Sequence, residues 1–382
     1  MQTLRYHLSY WERETFFKDI DLVVVGSGIV GLAAAIHYKH LKPQSKVVVI
    51  ERGALPIGAS TRNAGFACFG SMTELLDDLT QMPEDMLLGI VEKRWMGLQR
   101  LRSLIGDEAL NYKGLGGYEM FTEEEEEGVF QNCMERMPDL NEKIGAITGN
   151  SKVFSVVDER LSSFGFRGVR HLILNAAEGQ VNTGKMMAAL LHKARESGVE
   201  VYNGMGIKNL EDTSQGVELE TEYGWTITVP KVIVAVNGFA QQLLPGLAVQ
   251  PARNQVLITH PIPGLQVEGC FHYDRGFYYF RNIDGRILLG GGRNLAYDTE
   301  ATDQFGSNEL IRSALVQLLK TVICPGKNFE IDAWWSGILG LGPVKKPIVE
   351  KSSENVVLAL RLSGMGVAIG TLVGQEGAEL SL

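Results

Sequence analysis

The chain has 382 residues, of which 45% are apolar, and its formal net charge is −9. This length exceeds the size at which one core usually stops growing, so two structural domains are expected. The acidic charge offers no attraction to nucleic acid or to anionic lipid head groups, which need clustered lysine and arginine, and it excludes both as expected partners.

The cysteines and the apolar segments bear on the location of the protein. The cysteines are Cys68, Cys133, Cys270 and Cys324. They form no Cys-x-x-Cys pair, so we predict reduced thiols and no metal site. Residues 1–18 mix charged with aromatic side chains and contain no signal-peptide core. The longest apolar stretch, Leu22 to Ile36, is interrupted by Ser27 and glycines and is too short to cross a bilayer. A cytoplasmic protein without a transmembrane segment is expected.

The first predicted elements are a strand, a tight turn and a helix. Leu22 to Val25 is a continuous branched run, which is typical of a strand buried on both faces of a parallel sheet. Gly26-Ser27-Gly28-Ile29-Val30-Gly31 follows at once. Its three glycines, in order, permit a tight turn, let the backbone approach a pyrophosphate, and let the helix pack closely on the strand. The helix that follows presents its N-terminal amides to the anion.

A second branched run, Val47 to Ile50, ends at an acid, Glu51. A carboxylate at this place can accept hydrogen bonds from both ribose hydroxyls of an adenosine. Strand, glycines, helix, strand and acid in register therefore predict a dinucleotide site. The acid favours an unphosphorylated ribose, which leaves NAD or FAD. The neighbouring Arg52 is either a further cofactor contact or a solvated surface charge.

The segment after the acid separates these two cofactors. Gly58-Ala59-Ser60-Thr61-Arg62-Asn63-Ala64-Gly65-Phe66 is a run of small and hydroxylic residues that could surround phosphates and a ring system. It resembles the Gly-Ala-Ser-x-Arg-Asn-like stretch of the D-amino-acid oxidase, glycine oxidase and sarcosine oxidase superfamily. The resemblance implies FAD. The position after Trp335-Ser336-Gly337 lacks the cysteine that sarcosine oxidases link to the flavin, so we predict non-covalent FAD.

The resemblance continues along most of the chain. It includes the helix that follows Val181 to Lys185, the strand and turn from Lys231 to Gly238, and the C-terminal segment. There, the buried run Val356 to Leu360 and the glycines after it predict a helix with a free positive end, which in the family faces the flavin. A glycine-rich turn without a ligand is the alternative. The other cofactor contacts that the resemblance implies are Ile207, Asn237, Gly238, Gly337, Gly364, Met365, Gly366 and Val367.

Alternating branched strands and helical stretches indicate an α/β chain. We predict a Rossmann-like FAD-binding domain with a parallel sheet of βαβ units, and an α+β substrate domain with a mainly antiparallel sheet. The FAD-binding domain is predicted at residues 18–84, 170–241 and 340–382, and the substrate or cap domain at 85–169 and 242–339. The acidic tract Glu123 to Glu127 is predicted to be a solvated helix start or loop, because burying adjacent acids is costly.

The resemblance also implies a reaction. Oxidases of this superfamily transfer a hydride to flavin N5 from a carbon that bears an amine, and water hydrolyses the resulting imine. The electrons then pass to O2 or to another acceptor. The protein has to orient the carbon–hydrogen bond and keep the amine neutral, and a dedicated base is not required. The chain has no second complete nucleotide fingerprint, so the organic substrate is the expected reductant.

Candidate substrate contacts lie on a strand near Tyr278. Tyr278 matches, by its place before Gly290-Gly291, a tyrosine that contacts the substrate carboxylate in amino-acid oxidases. Alternation puts Tyr278 with Phe280 on one face, and Tyr279 with Arg281 on the other, and only one face can meet the flavin. A core aromatic strand is the alternative reading.

One departure from the family concerns the substrate. Amino-acid oxidases usually place a carboxylate-binding arginine after the Trp-x-Gly-like segment, whereas this chain has Ile338 to Pro343 there. Lys345 or Lys346 could substitute, with poorer geometry. The expected substrate is a small amine or amino acid, and the missing arginine makes a simple or γ-glutamyl-type amine plausible. His260 and His272 have no spaced partner and are interpreted as structural.

Three alternatives remain at this point. The first is a flavin dehydrogenase of 2-hydroxy acids. The second is a flavin-dependent module that acts on a macromolecule such as tRNA, against which the acidic charge argues. The third is a plain NAD dehydrogenase.

Overall fold

The structure is a computed structural model that describes residues 6–122 and 127–382. Its strands are β1 Leu22–Val25, β2 Val47–Glu51, β3 Phe66–Ala67, β4 Gly117–Thr122, β5 Phe154–Val156, β6 Val169–Asn175, β7 Gly179–Gln180, β8 Glu200–Asn203, β9 Ile207–Thr213, β10 Gly216–Thr221, β11 Thr226–Val229, β12 Val232–Val234, β13 Gln250–Thr259, β14 Cys270–Tyr273, β15 Tyr278–Ile283, β16 Arg286–Gly291, β17 Ile331–Leu341, β18 Ile348–Lys351 and β19 Val356–Leu360. Its helices are α1 Tyr10–Glu12, α2 Ile29–Leu41, α3 Met72–Leu79, α4 Glu84–Ile105, α5 Asp107–Leu110, α6 Glu127–Thr148, α7 Leu161–Phe164, α8 Thr183–Glu196, α9 Ala240–Leu243, α10 Tyr297–Glu300, α11 Glu309–Leu318 and α12 Gly366–Leu380.

The first sheet has the strand order β18-β19-β12-β1-β2-β8. Its strands are parallel except for β18, which runs antiparallel to β19. All residues of β1 and β2 are buried, because helices α2, α8 and α12 cover one face of the sheet and the small sheet β11-β10-β9 covers the other. Burial on both faces explains the continuous branched runs. The predicted Rossmann-like βαβ arrangement is confirmed.

Helix α12 packs closely against α2. A Cβ atom at Gly374 would lie 2.8 Å from the Cβ of Ala33, so the contact requires a glycine. Helix α2 follows β1 and α12 follows β19, and both strands belong to the parallel part of the sheet. The N-termini of the two helices therefore lie at the carboxyl edge of the strands, where open α/β sheets bind their ligands.

The second sheet has the strand order β17-β13-β16-β15-β14-β4-β6-β5. Its pairs are antiparallel apart from the parallel pair of β14 with β4. Helix α11 packs on one face, and α3, α4 and α6 cover part of the other. The predicted second domain with a mainly antiparallel sheet is confirmed.

Two of the predicted domain boundaries fall within strands of the second sheet. Strand β6 lies in this sheet although the prediction places residues 170–175 in the FAD-binding domain, and β17 crosses the predicted boundary at residue 340. We therefore propose that the substrate domain extends to residues 175 and 341. Of the acidic tract, residues 123–126 lie outside the described residues, and α6 begins at Glu127.

Two further expectations concern apolar segments and cysteines. Within residues 6–122 and 127–382, no helix has the length and hydropathy needed to span a membrane. The cysteines are free and buried.

Candidate active site

The turn between β1 and α2 depends on its glycines. Gly26 has a φ of +103°, and a Cβ there would lie 2.8 Å from the carbonyl oxygen of Ala235. A Cβ at Gly28 would lie 2.9 Å from Ser60 Oγ, and one at Gly31 would overlap the carbonyl oxygen of Gly26. The absence of side chains thus lets the helix start, the strand β1 and the loop at Ser60 approach one another.

Glu51 is buried at the end of β2 and faces the same turn. Its Oε2 accepts hydrogen bonds from the backbone N–H of Ser27 at 3.1 Å and the hydroxyl of Ser27 at 2.8 Å, and its Oε1 accepts one from Gly53 N–H at 2.9 Å. Next to it, the Arg52 guanidinium lies 3.7 Å from the ring centroid of Phe239. Burial lowers the pKa of Arg52. A fixed acceptor and a flat cationic surface therefore lie side by side.

These groups line a cleft of about 170 Å³ that extends to Gly364 and Val367. Helices α2 and α12 both begin here, and neither N-cap residue makes a side-chain capping hydrogen bond among the described residues. The N–H of Ile29 donates to Ser60 Oγ at 3.0 Å. Amides at two helix N-termini suit phosphate and other anionic oxygens, and the buried acid suits a ribose. The residues present therefore fit FAD.

The loop from Gly58 to Phe66 is held by its own polar groups. Thr61 Oγ1 donates to the carbonyl of Pro56 at 2.6 Å, and Asn63 Nδ2 donates to the carbonyls of Ala59 and Ser60 at 3.1 and 3.0 Å. Arg62 Nη1 donates to the carbonyl of Ser336 at 3.0 Å, which ties the loop to β17. The loop therefore joins the cleft to the second sheet.

The structure brings most of the predicted cofactor contacts to this region. Those that line the cleft are Gly26, Gly28, Ile29, Val30, Glu51, Arg52, Ser60, Asn63, Ile207, Asn237, Gly364, Gly366 and Val367. Those that line only the neighbouring cavity are Arg62, Ala64, Phe66, Gly337 and Met365. Gly31, Thr61, Gly65 and Gly238 line neither and instead shape the backbone: a Cβ at Gly65 would overlap the carbonyl of Val181, and one at Gly238 the carbonyl of Leu339. We propose that the three glycines act through packing and that Thr61 acts through its hydrogen bond to the carbonyl of Pro56.

The neighbouring cavity has a volume of about 490 Å³. It shares with the cleft the residues Ala59, Asn63, Leu339, Gly364 and Val367. A cofactor in the cleft would thus reach a cavity of the size that small-molecule sites have. The cavity is the candidate substrate site.

Tyr279 is one of the polar residues that line this cavity. It lies on β15 opposite Gly290 of β16, where a Cβ would come within 2.6 Å of the Tyr279 ring. Burial raises the pKa of Tyr279 to about 12, although a hydrogen bond with Asn254 lowers it. The Oδ1 atom of Asn254 is buried and has no hydrogen-bond partner within the described part of the chain. The cavity wall therefore carries an unsatisfied acceptor beside a phenol.

The residues predicted for catalysis lie in different places. Tyr278 does not line the cavity and packs with the apolar cluster under the opposite face of the sheet. Arg281 shares the Tyr279 face and is buried, and its Nη1 donates to the carbonyl of Gly65 at 3.3 Å. Lys346 is exposed, whereas Lys345 lines the cavity with Nζ 2.9 Å from Asp78 Oδ1. We propose that Tyr279, rather than Tyr278, contacts the substrate.

His272 lines the cavity from β14 and is buried. Its Nδ1 lies 3.9 Å from Glu74 Oε2, and its Nε2 lies 3.7 Å from Glu178 Oε2. Burial lowers the pKa of His272, but the nearby carboxylates of Glu178, Glu74 and Glu119 outweigh it and raise this pKa to about 9. The imidazole is therefore a buried cation backed by carboxylates. No group of at least three His, Cys, Asp or Glu residues suited to a metal ion occurs in the described ranges.

Sequence reasoning missed Asn254, Glu74 and His272 as cavity residues. Asn254 lies on β13 between Arg253 and Gln255, whereas His272 lies on β14 between Phe271 and Tyr273, and β16 and β15 separate the two strands. A polar residue between aromatic side chains in a buried strand is a signal that could have singled out His272, but the polar start of β13 does not distinguish Asn254. Glu74 lies near His272 only through the packing of α3 on the sheet, which no local pattern predicts.

The segment after Trp335-Ser336-Gly337 contributes apolar side chains to the site. Leu339 and Leu341 line the cavity, and Ile338 lines the cleft. The arginine that the resemblance implies after this segment is absent from residues 338–343, and apolar side chains stand there instead.

Comparisons with known proteins agree with this geometry. The family model for FAD dependent oxidoreductases (DAO) matches residues 21–380. The chain is 26% identical over 278 residues to glycine oxidase of Geobacillus kaustophilus, covering 71% of this chain and 69% of that protein. It is 25% identical over 395 residues to gamma-glutamylputrescine oxidoreductase of Escherichia coli, covering 94% and 83%.

A solved structure shows the same fold. The crystal structure of L-proline dehydrogenase from P. horikoshii matches with a TM-score of 0.73 and 20% identity, covering 95% of this chain and 93% of that chain. The family match spans both sheets and both parts of the site. The chain therefore belongs to the DAO family of FAD dependent oxidoreductases, and both the predicted cofactor and the predicted enzyme class are confirmed.

Proposed function

We propose that this oxidoreductase oxidises a C–N bond of a small amine or amino acid. Bound FAD supplies the hydride acceptor at its N5 atom, and the product is an imine that water hydrolyses. The observation that carries the proposal is the unpartnered, buried Oδ1 of Asn254 beside Tyr279, in the cavity that adjoins the cofactor cleft. An amine N–H is the donor that such an acceptor lacks.

Asn254 and Tyr279 would hold the substrate nitrogen without charging it. Both side chains are neutral, because burial keeps the Tyr279 phenol protonated by raising its pKa to about 12. A carboxylate in their place would favour the ammonium form, which cannot give up a hydride from the adjacent carbon. A neutral acceptor can bind and orient the amine while leaving the nitrogen lone pair free.

Apolar side chains form other parts of the cavity wall. Phe66, Val256 and Leu339 line it between the loop and the second sheet. They limit the water that can surround the reacting carbon and fix the substrate against one wall. We propose that the electrons removed from the substrate then pass to O2 or to another acceptor.

The named relatives support the same reaction class. The proteins called glycine oxidase, gamma-glutamylputrescine oxidoreductase and L-proline dehydrogenase carry the names of compounds that contain an amine. Their names do not point to 2-hydroxy acids or to nucleic acid.

Product analysis tests the proposal. The holoprotein is incubated with primary amines, N-methyl amines, amino acids and 2-hydroxy acids, and the carbonyl product and the released ammonia or amine are quantified. We expect equal amounts of carbonyl and released nitrogen from at least one amine. A keto acid formed only from a 2-hydroxy acid, without ammonia, would overturn the proposal, as would product from none of the compounds.

A pair of variants ties the reaction to the cavity. Asn254→Leu removes the acceptor at similar volume, and we expect kcat/KM for the amine to fall about tenfold. Asn209→Leu is the control, because Asn209 is exposed on β9 and lines neither cavity. Equal loss in the two variants would count against a binding role for Asn254.

A further inference from the structure

The basic side chains that line the cavity differ in the ion pairs and hydrogen bonds that they make within the protein. Lys345 is paired with Asp78, with Nζ 2.9 Å from Oδ1. Arg62 donates to two backbone carbonyls. His272 has carboxylates within 4 Å. Each of these cations therefore already has a carboxylate nearby or hydrogen-bond acceptors within the protein.

Arg293 is the exception. It follows β16 through Gly292, whose φ of +77° turns the chain into a short 3-10 helix, Arg293–Leu295. Its side chain is partly buried and lines the cavity, with the guanidinium 4.7 Å from the ring centroid of Tyr297. No hydrogen bond or ion pair of this guanidinium is found among the described residues.

The carboxylates near Arg293 are already engaged. Glu300 is fully buried and accepts hydrogen bonds from Arg253 Nε at 2.9 Å and Nη2 at 2.7 Å. Asp274 accepts a hydrogen bond from Asn294 Nδ2 at 3.2 Å. Arg275, the other cation at this part of the cavity, is exposed, so water can hydrate it. Among the cations that line the cavity in the described part of the chain, Arg293 alone combines partial burial with the absence of both an ion pair and a side-chain hydrogen bond.

A partly desolvated guanidinium without a counter-ion carries a cost that an anionic ligand removes. Guanidinium groups bind carboxylates through two parallel hydrogen bonds, which adds geometric selectivity. Burial also lowers the pKa of Arg293, which reflects the same loss of hydration.

Arg293 contributes to the cavity wall from the 3-10 helix that follows β16. It is absent from the lining of the cleft, and the aromatic residues beside it, Phe277 and Tyr297, line only the cavity. The acceptors proposed for the amine, Asn254 and Tyr279, lie on the sheet that borders the loop of the cleft. The guanidinium and the amine acceptors thus come from different segments of the wall of one cavity, and none of them lines the cleft.

We propose that Arg293 binds a carboxylate that the substrate carries away from the oxidised C–N bond. The substrate class is then an amine with a separate anionic group, rather than a simple alkylamine. This inference rests on the proposed C–N oxidation at the same site. It also accounts for the hydrocarbon at Ile338 and Leu339, because a carboxylate on the oxidised carbon itself would need a cation there.

Binding without turnover tests the role of Arg293. Hexanoate, which has no amine, is titrated into the holoprotein by calorimetry, and into Arg293→Met, Arg293→Lys and Arg312→Met. Arg312 is the matched control, since its guanidinium lies 4.6 Å from the ring centroid of Trp334 and it does not line the cavity. We expect Arg293→Met to bind about tenfold to hundredfold more weakly, Arg293→Lys to retain part of the affinity, and Arg312→Met to match the unmodified protein.

Turnover then separates the two proposals. We expect ω-aminohexanoate to exceed hexylamine in kcat/KM by about tenfold or more, and the preference to disappear in Arg293→Met. Hexanoate binding that does not change in Arg293→Met, or that is absent from the unmodified protein, would overturn the inference while leaving C–N oxidation intact. Arg293-dependent hexanoate binding in a protein that oxidises no amine would overturn C–N oxidation and keep Arg293 as an anion site. Unchanged flavin absorbance in the variants shows that they are folded.

Discussion

The rings of Phe66 and Tyr279 meet edge to face, with their centroids 5.8 Å apart and their planes at 75°. Phe66 belongs to the loop that follows the dinucleotide motif, and Tyr279 belongs to the second sheet. Phe66 also meets His272 edge to face, at 5.2 Å. One aromatic side chain from the cofactor loop therefore positions two residues of the cavity, so the shape of the substrate site depends on how the loop is held.

Removing the hydroxyl of Tyr279 tests its contact with the substrate. In Tyr279→Phe, we expect kcat/KM for the amine to fall about threefold to tenfold, because one hydrogen bond is lost while the ring contact with Phe66 remains. Tyr278→Phe is the matched control, since its side chain packs on the opposite face of the same strand. Rapid-mixing measurements of flavin reduction compare the two. A larger loss in Tyr278→Phe would contradict the proposed assignment.

A methyl group at Gly31 tests the packing of the dinucleotide turn. Gly31→Ala would place Cβ over the carbonyl oxygen of Gly26, and we expect a loss of roughly 1–3 kcal/mol in the free energy of unfolding. Gly89→Ala is the control within another helix, because a Cβ there meets nothing within 4 Å. We expect this control to be neutral or to stabilise by about 0.5–1 kcal/mol. Denaturant unfolding of both variants measures the difference, and equal effects would refute the packing account.

The charge of Glu51 should govern FAD affinity. Glu51→Gln retains the shape of the side chain but removes the carboxylate that accepts hydrogen bonds from Ser27 and Gly53. We expect the Kd for FAD to rise about tenfold to hundredfold, measured by fluorescence titration of the apoprotein. Glu211→Gln, at an exposed position of β9, is the control. Unchanged FAD affinity in Glu51→Gln would show that the acid does not contact the cofactor.

The stability of the protein should depend on pH through His272. Its pKa is raised from 6.5 to about 9 in the folded chain, because Glu178, Glu74 and Glu119 outweigh the effect of burial. A raised folded pKa means that the protonated imidazole stabilises the fold fully below pH 6.5, and that this contribution is lost as the pH rises through 9.

Comparison of His272→Gln with the unmodified protein isolates this effect. Denaturant unfolding between pH 6 and 10 should show the difference in stability shrinking as the pH rises. In Glu178→Gln the same loss should begin at a lower pH, because one of the carboxylates that raise the His272 pKa has been neutralised. A difference that grows with pH would contradict the assignment.

The two adjacent lysines should differ in effect. Lys345→Ala breaks the ion pair with the buried Asp78 and leaves that carboxylate without its cation, whereas Lys346 is exposed. We expect Lys345→Ala to lower both the free energy of unfolding and kcat/KM, and Lys346→Ala to leave both close to those of the unmodified protein. Equal behaviour of the two variants would argue against a role for Lys345 in the cavity.

The cofactor half of the site could be predicted from the sequence because its determinants are local. Turn, helix and acid follow one another within Gly26 to Glu51, and each has its own steric or hydrogen-bonding requirement. The alternation of Tyr278 and Tyr279 was also predictable, but not the face that meets the cavity. That choice depends on Gly290, which lies opposite Tyr279 only once β15 and β16 have paired.

The substrate half depends on contacts between distant segments. Glu74 reaches His272 through the packing of α3 on the second sheet, and Arg293 lacks a partner because Glu300 binds Arg253 instead. Whether a charged side chain has an ion-pair partner depends on how the chain folds, and the spacing of residues along the sequence does not predict it.

Anaerobic addition of an amine to the purified holoprotein tests the central claim most directly. The account predicts that the absorbance of the oxidised flavin is lost with at least one amine and is unchanged with 2-hydroxy acids of the same length. Loss of that absorbance with a 2-hydroxy acid and with no amine would contradict C–N oxidation, and a protein that takes up no FAD would contradict the site itself.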